Sequence, residues 1–197
     1  MPRLFGTNGI RGIVNEDMNT DLALNIGMAI GTYIEGGKVA IATDTRTSND
    51  MLKSAVFSGL LTTGSSIVDL GIVPTPVLQY YVKNSETQHG IVITASHNPP
   101  NFNGIKCVDG DGTELSRENE EKIEALYFSK SFNEVPWNRI GGVTKEANAI
   151  EPYIRGIIKN IDSEAVRKAR PKVVLDCGNG AGSLVSPYLL EDWDVKL

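Results

Sequence analysis

The sequence contains little cysteine and no long apolar run, and both absences exclude classes of protein. Cys107 and Cys177 lie far apart and match no metal-ligand spacing. Each stands in an apolar stretch, so we expect two reduced thiols in the core of a cytoplasmic protein rather than a disulfide or a zinc site. No apolar run approaches the roughly 18 residues that span a bilayer. The opening MPRLFGTNG also lacks the apolar centre of a signal peptide.

An excess of positive charge is absent as well. The 197 residues carry a net charge of −5 with a pI near 5.1, which argues against a protein that binds nucleic acid. The hydrophobic fraction of 41% and the charged fraction of 22% are those of an ordinary globular protein. An anionic small substrate is compatible with this composition, because a few local basic residues can hold a phosphate on an acidic protein. The length allows one domain, or one and a half.

Helical and extended patterns alternate along the first 130 residues, which predicts an α/β fold. The run KVAIAT is almost uninterrupted, as is typical of a strand covered on both faces. Asn19 or Thr20 suits the N-cap of the first helix, and Pro76 suits a first helical turn. The predicted elements are a helix at 20–34, a strand at 38–43, a helix from 48 or 49, a strand at 66–70, a helix from Pro76, antiparallel strands at 90–95 and 104–108, and a helix capped by Ser116.

The C-terminal third has a weaker pattern. Residues 132–148 carry Pro, Gly and Asn without a sustained period, which predicts a surface connection. A helix over 150–161 follows, and then KVVLDCGNGAG, which resembles the earlier KVAIATDTRTSN as a strand that runs into a polar turn. This second copy soon breaks off. Either the tail packs on the first domain or the chain is a piece of a longer protein, and we favour the second.

The stretch GIVITASHNPP ends an apolar strand on Ser96, His97 and Asn98. Side chains at the carboxyl end of a strand in an open α/β sheet lie where ligands and catalysis are usually found. Pro99 and Pro100 restrict the loop that follows, which is useful if Ser96 must hold a covalent group in a fixed orientation. The alternative is an Asx-type turn whose polar side chains only satisfy backbone groups.

Two motifs carry a resemblance to a known family. TASHNP, residues 94–99, is similar to the active-site signature of the α-D-phosphohexomutases, which include the phosphoglucomutases, phosphomannomutases and phosphoglucosamine mutases. FGTNGIRG, residues 5–12, is similar to the FGTxGxRG opening of the same family. The resemblance implies a three-layer α/β/α domain with a mixed sheet over 1–135. Residues 136–197 would be a linker and the incomplete start of a second, similar domain.

The same resemblance implies a reaction. Ser96 would be phosphorylated and would exchange its phosphate with a hexose phosphate through a bisphosphorylated sugar, which makes it both catalytic and modified. Arg11 would bind phosphate oxygens, since a guanidinium donates a planar fork of hydrogen bonds. His97 would contact the phosphoserine or assist proton movement.

Lys106 is the residue expected to act as general acid or base at the sugar hydroxyl. In the predicted hairpin it lies roughly 7 Å along the strand from the serine loop, within reach of a lysine side chain. The alternative is a solvated strand lysine. The resemblance also implies phosphate or substrate binding by Thr7, Arg11, Asn98 and Lys106.

One Mg²⁺ ion is expected, bound in part through the phosphate on Ser96, because octahedral oxygen ligation suits this ion. The family's metal loop, DGDxDR, is not matched by the DGDG at 109–112, which Thr113 and Glu114 follow; we predict a turn there. The metal loop, the sugar-selecting loop and the C-terminal phosphate-binding loop are therefore expected beyond Leu197. This chain alone is expected to be inactive as a mutase and to be at most a phosphorylatable half-site. The expected partners are a hexose phosphate and a sugar bisphosphate, with no nucleic acid and no membrane.

Residue spacing disfavours two other functions. Residues 178–182 lack the G-x-G-x-x-G spacing of a dinucleotide site, since Ser183 stands where the third glycine would be. No G-x-S-x-G surrounds Ser96, which disfavours an α/β-hydrolase. A non-catalytic phosphosugar-binding module that retains the motifs stays open as an alternative. His89 lies outside any motif and is predicted on the surface before its strand.

Overall fold

A computed structural model describes residues 3–6 and 8–193 of the chain. The strands in this part are β1 (Ile10–Ile13), β2 (Lys38–Thr43), β3 (Ser66–Ile72), β4 (His89–Ile93), β5 (Phe102–Asp109) and β6 (Val143–Lys145). The α-helices are α1 (Thr20–Tyr33), α2 (Asn49–Thr62), α3 (Thr75–Lys83), α4 (Arg117–Ser129), α5 (Ile150–Lys159), α6 (Ser163–Ala169) and α7 (Ser186–Asp192). Short 3₁₀ turns cover Trp137–Arg139 and Ala181–Leu184. None of the described helices is both long and apolar enough to cross a membrane.

The described strands form one mixed sheet in the order β1-β5-β4-β2-β3-β6. β2, β3, β4 and β6 run parallel to one another, while β5 is antiparallel to both β4 and β1. The predicted hairpin of 90–95 with 104–108 is confirmed by the pairing of Ile91 with Cys107.

Successive side chains of β2 point to opposite faces of the sheet and enter two separate cores. Val39 and Ile41 pack with α1, α2 and α4, whereas Ala40 and Ala42 pack with α3 and α5. Helices on both faces make three layers, so the predicted α/β/α architecture with a mixed sheet is confirmed. The division into domains at residue 135 stays a prediction.

Local sequence signals explain where several helices begin. The side chain of Asn19 accepts a hydrogen bond from the Leu22 amide at 2.9 Å, and that of Ser116 accepts one from the Asn119 amide at 3.3 Å. Both are N-caps of the expected kind, since a side-chain oxygen satisfies an amide that the helix leaves unpaired. Pro76 lies in the first turn of α3, as predicted.

Helices α1 and α2 approach each other closely at two glycines, a feature that the sequence analysis did not identify. A Cβ atom on Gly59 would lie 2.3 Å from the carbonyl oxygen of Leu24, and one on Gly27 would lie 2.5 Å from that of Val56. Only glycine fits at these positions, because any side chain would overlap the backbone of the partner helix.

The predicted connection over 132–148 does run along the surface, but it contains regular structure that was not predicted. This segment contains a 3₁₀ turn and then β6, which extends the sheet by pairing Val143 with Ile67 of β3. All three residues of β6 are exposed, so the strand has no buried side-chain pattern to reveal it. Backbone hydrogen bonds form this edge strand, and one more runs from Thr144 Oγ1 to the Ile67 carbonyl at 3.2 Å. β1 was likewise not predicted as a strand.

The second strand–turn unit is also not as predicted. Residues 172–177 form no strand, and Val174 is 99% exposed. Cys177 is half-buried rather than in the core, although it and the buried Cys107 are both free thiols. Apolar residues alone do not make a strand, since the backbone needs a neighbouring strand to pair with.

His89 differs from its predicted place on the surface. It is the first residue of β4, and its side chain is 16% exposed. Its ring packs edge-on against that of Tyr33, with 5.8 Å between the ring centroids. Burial lowers the pKa of His89, against the opposing charge of Asp109. The predicted turn at 109–112 is present, with the Gly112 amide donating to the Asp109 carbonyl at 2.9 Å.

Candidate active site

The serine loop, residues 94–101, leaves the sheet at the carboxyl end of β4. It lies next to the loop 44–48, because β2 and β4 are parallel neighbours with Thr43 opposite Ile93. Ser96 is exposed and has a left-handed backbone with φ of +57°. Such a conformation costs a non-glycine residue about 1–3 kcal/mol, so surrounding bonds must hold it. One of these bonds runs from the Ser96 amide to Thr94 Oγ1 at 2.9 Å.

Arg46, from the loop after β2, supplies further bonds, and the sequence analysis missed it. Its Nη2 donates to the carbonyl oxygens of Ser96 at 3.1 Å and Asn98 at 2.6 Å. Its Nη1 donates to those of Pro99 at 2.7 Å and Phe102 at 2.9 Å. The only hint was its position after a buried strand, where functional loops of parallel sheets lie.

Asp44 lies beneath the serine loop and ties several elements together. Its carboxylate accepts from Thr94 Oγ1 at 2.6 Å, from Arg46 Nε at 3.2 Å and from Asn49 Nδ2 at 2.8 Å. Asn49 in turn accepts from the fully buried Asn103 at 2.8 Å. A buried polar network whose groups are paired in this way fixes one geometry, since a changed geometry would leave polar groups unpaired.

Arg11 reaches the serine loop from β1 on the other side. Its Nη1 donates to Asn98 Oδ1 at 2.7 Å and to the Ala95 carbonyl at 3.3 Å, and its Nε donates to the Asn8 carbonyl at 3.3 Å. Nη2 makes no hydrogen bond within the described chain, so its two N–H groups are available to an anion. Arg11 and His97 line one open cleft of about 450 Å³ with Leu4, Gly6, Asn8 and Gly9.

The position of Thr7, predicted to bind phosphate, lies outside the described residues. The segment around it is anchored from α4, because Glu124 accepts hydrogen bonds from the amides of Leu4 and Phe5, both at 2.8 Å, and from Arg117 at 2.9 Å. Burial by itself would raise the pKa of Glu124, but these hydrogen bonds to its charged form outweigh burial and lower it. The N-terminal motif is thereby tied to the body of the domain.

His97 lies beside the serine, with 3.4 Å between Ser96 Oγ and His97 Nδ1. Its side chain is exposed, and no carboxylate of the described chain contacts it. The orienting acid of a Ser-His-Asp triad is therefore missing from this part of the chain, which weighs against hydrolase chemistry at Ser96.

Lys106 is not the solvated strand lysine of the alternative prediction. Its side chain is 13% exposed, and Nζ donates to Glu114 Oε1 at 2.6 Å. It lines a small cavity that also includes Asn8, Gly9 and Glu114. Neither of the clefts beside the serine loop includes it. To act at a sugar hydroxyl it would have to leave Glu114, and its catalytic role stays a prediction.

A second cleft, of about 540 Å³, opens directly at Ser96. One wall is built by residues 44–47 and by Pro74 and Thr75, which follow β2 and β3. Gly178, Gly180 and Ala181 of the glycine-rich loop line it as well. The C-terminal segment thus contributes a wall to the serine cleft, although the strand predicted before it is not formed.

The described residues do not fit a magnesium ion. Within them no group of three or more His, Cys, Asp or Glu side chains is placed to hold a metal. Asp44, the carboxylate nearest to the loop in the bonding network, already accepts from a threonine, an arginine and an asparagine. Mg²⁺ requires about six oxygen ligands, and the described residues by themselves offer no such set.

Comparison with known proteins identifies the architecture that carries this loop. Residues 2–134 match the family described as phosphoglucomutase/phosphomannomutase, alpha/beta/alpha domain I. The chain belongs to the phosphoglucomutase/phosphomannomutase family. The resemblance that TASHNP and FGTNGIRG suggested is confirmed.

Individual proteins and a solved structure of the phosphoglucomutase/phosphomannomutase family also resemble this chain. A phosphoglucomutase/phosphomannomutase of Thermococcus kodakarensis is 48% identical over 202 residues, covering 100% of this chain and 44% of that protein. A protein of Pyrococcus horikoshii named "Probable phosphoglucosamine mutase" is 48% identical over 189 residues, covering 96% of this chain and 41% of that protein. The crystal structure of a phosphoglucomutase/phosphomannomutase family protein from Burkholderia thailandensis superposes with a TM-score of 0.80 at 25% identity, covering 98% of this chain and 43% of that one. This chain therefore spans less than half the length of these relatives.

Proposed function

We propose that this chain supplies the phosphoserine site of a phosphohexomutase, with Ser96 as the phosphate carrier. One observation supports this most directly. Ser96 is exposed on a left-handed bend, and Asn98 holds the Arg11 guanidinium against the same loop. The Nη2 of Arg11 has no hydrogen-bond partner among the described residues and can donate to an anion. A phosphoserine brings nearly two negative charges, which such a guanidinium can partly neutralise.

The proposed step is a phosphoryl transfer between Ser96 Oγ and a sugar oxygen. A bisphosphorylated sugar gives one phosphoryl group to Ser96; the sugar P–O bond breaks, the P–Oγ bond forms, and the serine proton ends on the released sugar hydroxyl. The reverse step returns the group to the other hydroxyl of the monophosphate. Positioning of the reactants and neutralisation of phosphate charge account for most of such catalysis. The two clefts at the serine loop leave room for a sugar phosphate.

The sugar and the metal ion belong to this proposal as well. The relatives named above carry names with different sugars, so we propose the class of hexose or hexosamine phosphates rather than one member. Mg²⁺ is the proposed ion; when bound it would offset phosphate charge. Phosphorylated Ser96 would give one oxygen ligand, and the other ligands are not among the described residues.

Mass spectrometry of the intact chain tests the proposal. After incubation with α-glucose 1,6-bisphosphate and Mg²⁺, the chain should gain about 80 Da, located on Ser96 by peptide sequencing. The Ser96→Ala variant should gain nothing, whereas Ser183→Ala, which changes a serine of the glycine-rich segment, should be phosphorylated like the wild type.

Two other outcomes would decide for the alternatives. Calorimetric binding of the bisphosphate without any serine phosphorylation would support a non-catalytic binding module and overturn the carrier role. Labelling of Ser96 by a fluorophosphonate probe would instead support a hydrolase. We expect no such labelling, because His97 lacks a carboxylate partner in the described chain.

A further inference from the structure

We propose that Arg46 acts as a positioning residue that sets the orientation of Ser96. Together with Asp44 and the carbonyl oxygens of residues 96, 98, 99 and 102, it forms what we call the Arg46 clamp. The inference rests on the proposed phosphate-carrier role of Ser96 and goes beyond it, because none of the hydrogen bonds of the clamp is made to the serine hydroxyl.

The donor count of Arg46 indicates this role. A guanidinium has five N–H groups, and Arg46 makes five side-chain hydrogen bonds, four to loop carbonyls and one to Asp44. Its side chain is only 12% exposed. No donor is left for a phosphate, in contrast to Arg11, whose Nη2 makes no bond within the described chain.

Four carbonyl oxygens that converge on one planar group determine the path of the loop. The bonds of Nη2 fix the Ser96–His97 and Asn98–Pro99 peptides, and those of Nη1 fix the exit of the loop toward β5. Ser96 lies at the start of this arc in its left-handed conformation. Without the clamp the residue would relax toward ordinary backbone angles, and its hydroxyl would point elsewhere.

Asp44 couples the clamp to Ser96 by a second route. The carboxylate accepts from the backbone amide and the Nε of Arg46, which fixes the plane of the guanidinium. It also accepts from Thr94 Oγ1, and that same hydroxyl oxygen accepts from the Ser96 amide. One carboxylate therefore orients both groups that hold the serine backbone.

The test compares Arg46→Lys with Lys53→Met in the full 197-residue chain. Lysine keeps the charge but has three donors in a different geometry, so it cannot replace the clamp. Lys53 is a matched control, since it is a partly buried cation at 21% exposure that pairs with Asp69 of β3 and does not contact the serine loop. Circular dichroism and urea titration first establish the range of conditions in which every variant is folded.

Two measurements follow under those conditions. Hydrogen exchange reports on the loop amides of Asn98 and Phe102, which donate to the carbonyls of Ala95 and Pro99; Arg46→Lys should speed their exchange roughly tenfold or more. Intact mass then gives the rate of Ser96 phosphorylation by α-glucose 1,6-bisphosphate. At saturation it should fall roughly 10- to 100-fold with the half-saturating concentration nearly unchanged, because a displaced nucleophile slows the transfer and not the binding.

A third variant, Thr94→Val, removes the hydroxyl that links Asp44 to the Ser96 amide and leaves Arg46 in place. It should also speed the exchange of the loop amides and slow the phosphorylation of Ser96, but each change should be smaller than in Arg46→Lys. A wild-type rate and wild-type loop exchange in Arg46→Lys would overturn the clamp, and so would an equal loss in Lys53→Met. A wild-type chain that gains no phosphate would overturn the carrier role instead, and the loop exchange would then decide the clamp by itself.

Discussion

Two parts of the chain share one sequence pattern but not one structure. Residues 38–62 contain KVAIAT, a polar turn and a helix; residues 172–192 contain KVVLDC, a glycine-rich turn and a helix. The first part forms β2 and α2, and β2 is buried from Val39 onward. In the second part no strand forms, and Val174 is 99% exposed.

The difference shows that a strand depends on its neighbours. β2 pairs with β3 on one side and β4 on the other, and helices cover both of its faces. Residues 172–177 pair with no strand of the described chain, so their backbone gains nothing from an extended ladder. Burial and pairing, rather than apolar composition, separate the two parts.

Hydrogen exchange should give the largest contrast between them. Amides of 39–43 should exchange only when the whole domain unfolds, whereas amides of 172–177 should exchange almost as in a free peptide. The expected ratio is roughly a thousandfold or more, since global unfolding costs at least about 5 kcal/mol. Similar protection of the two segments in peptide-resolved mass spectrometry would show that the second one is paired after all.

Matched truncations of apolar side chains should follow the same order. Ile41→Ala removes a fully buried side chain and should cost about 3 kcal/mol of unfolding free energy, measured by urea titration. Val174→Ala removes an exposed one and should change stability by less than about 0.5 kcal/mol. Equal losses would contradict the proposed contrast in packing.

Gly59 of α2 and Gly182 of the 3₁₀ turn Ala181–Leu184 allow the packing of the two parts to be compared. Gly59→Ala in α2 should cost roughly 1–3 kcal/mol, because its new methyl group would overlap the backbone of α1. In Gly182→Ala the nearest atom would be Ser186 Oγ at 4.0 Å, so the change should be neutral or slightly stabilising. A tolerated Gly59→Ala would mean that the α1–α2 contact can open.

Lowering the pH should have the smallest effect on stability, and it should act through Glu124 of α4. Because the pKa of Glu124 is lowered in the folded chain, its contribution to stability is complete above its ordinary pKa of 4.5 and is lost as pH falls through the lower, folded value. Glu124→Gln keeps acceptors for Leu4 and Phe5 but loses the charge facing Arg117, so it should cost about 1 kcal/mol at neutral pH. Urea midpoints measured from pH 6 to pH 3 should fall less steeply in this variant; an unchanged slope would exclude Glu124 as a source of acid sensitivity.

Features encoded over short distances along the chain were predictable. The strand at 38–43, the caps Asn19 and Ser116 and the turn at 109–112 all follow from neighbouring residues. TASHNP and FGTNGIRG directed attention to Ser96 and Arg11, and the structure brings both motifs to one loop.

The features that were missed depend on long-range backbone contacts. Arg46 binds main-chain oxygens 50 to 56 positions away, and Glu124 binds amides about 120 positions away. Main-chain groups are the same in every residue, so no side-chain pattern marks them as partners. β6 was missed for the same reason, and 172–177 was overpredicted because its apolar pattern does not reveal whether a pairing strand exists.

The loop carbonyls bound by Arg46 have a consequence for how the site can vary. Since the guanidinium recognises main-chain oxygens, the side chains at positions 98 to 102 could change without removing any of its bonds. The bonds of the clamp, unlike that of Arg11 to the Asn98 side chain, are in this sense insensitive to which side chains the loop carries. A library that randomises Pro100, which lines the cleft at Ser96, should therefore retain the five bonds of Arg46, and this position is open for altering what enters the cleft.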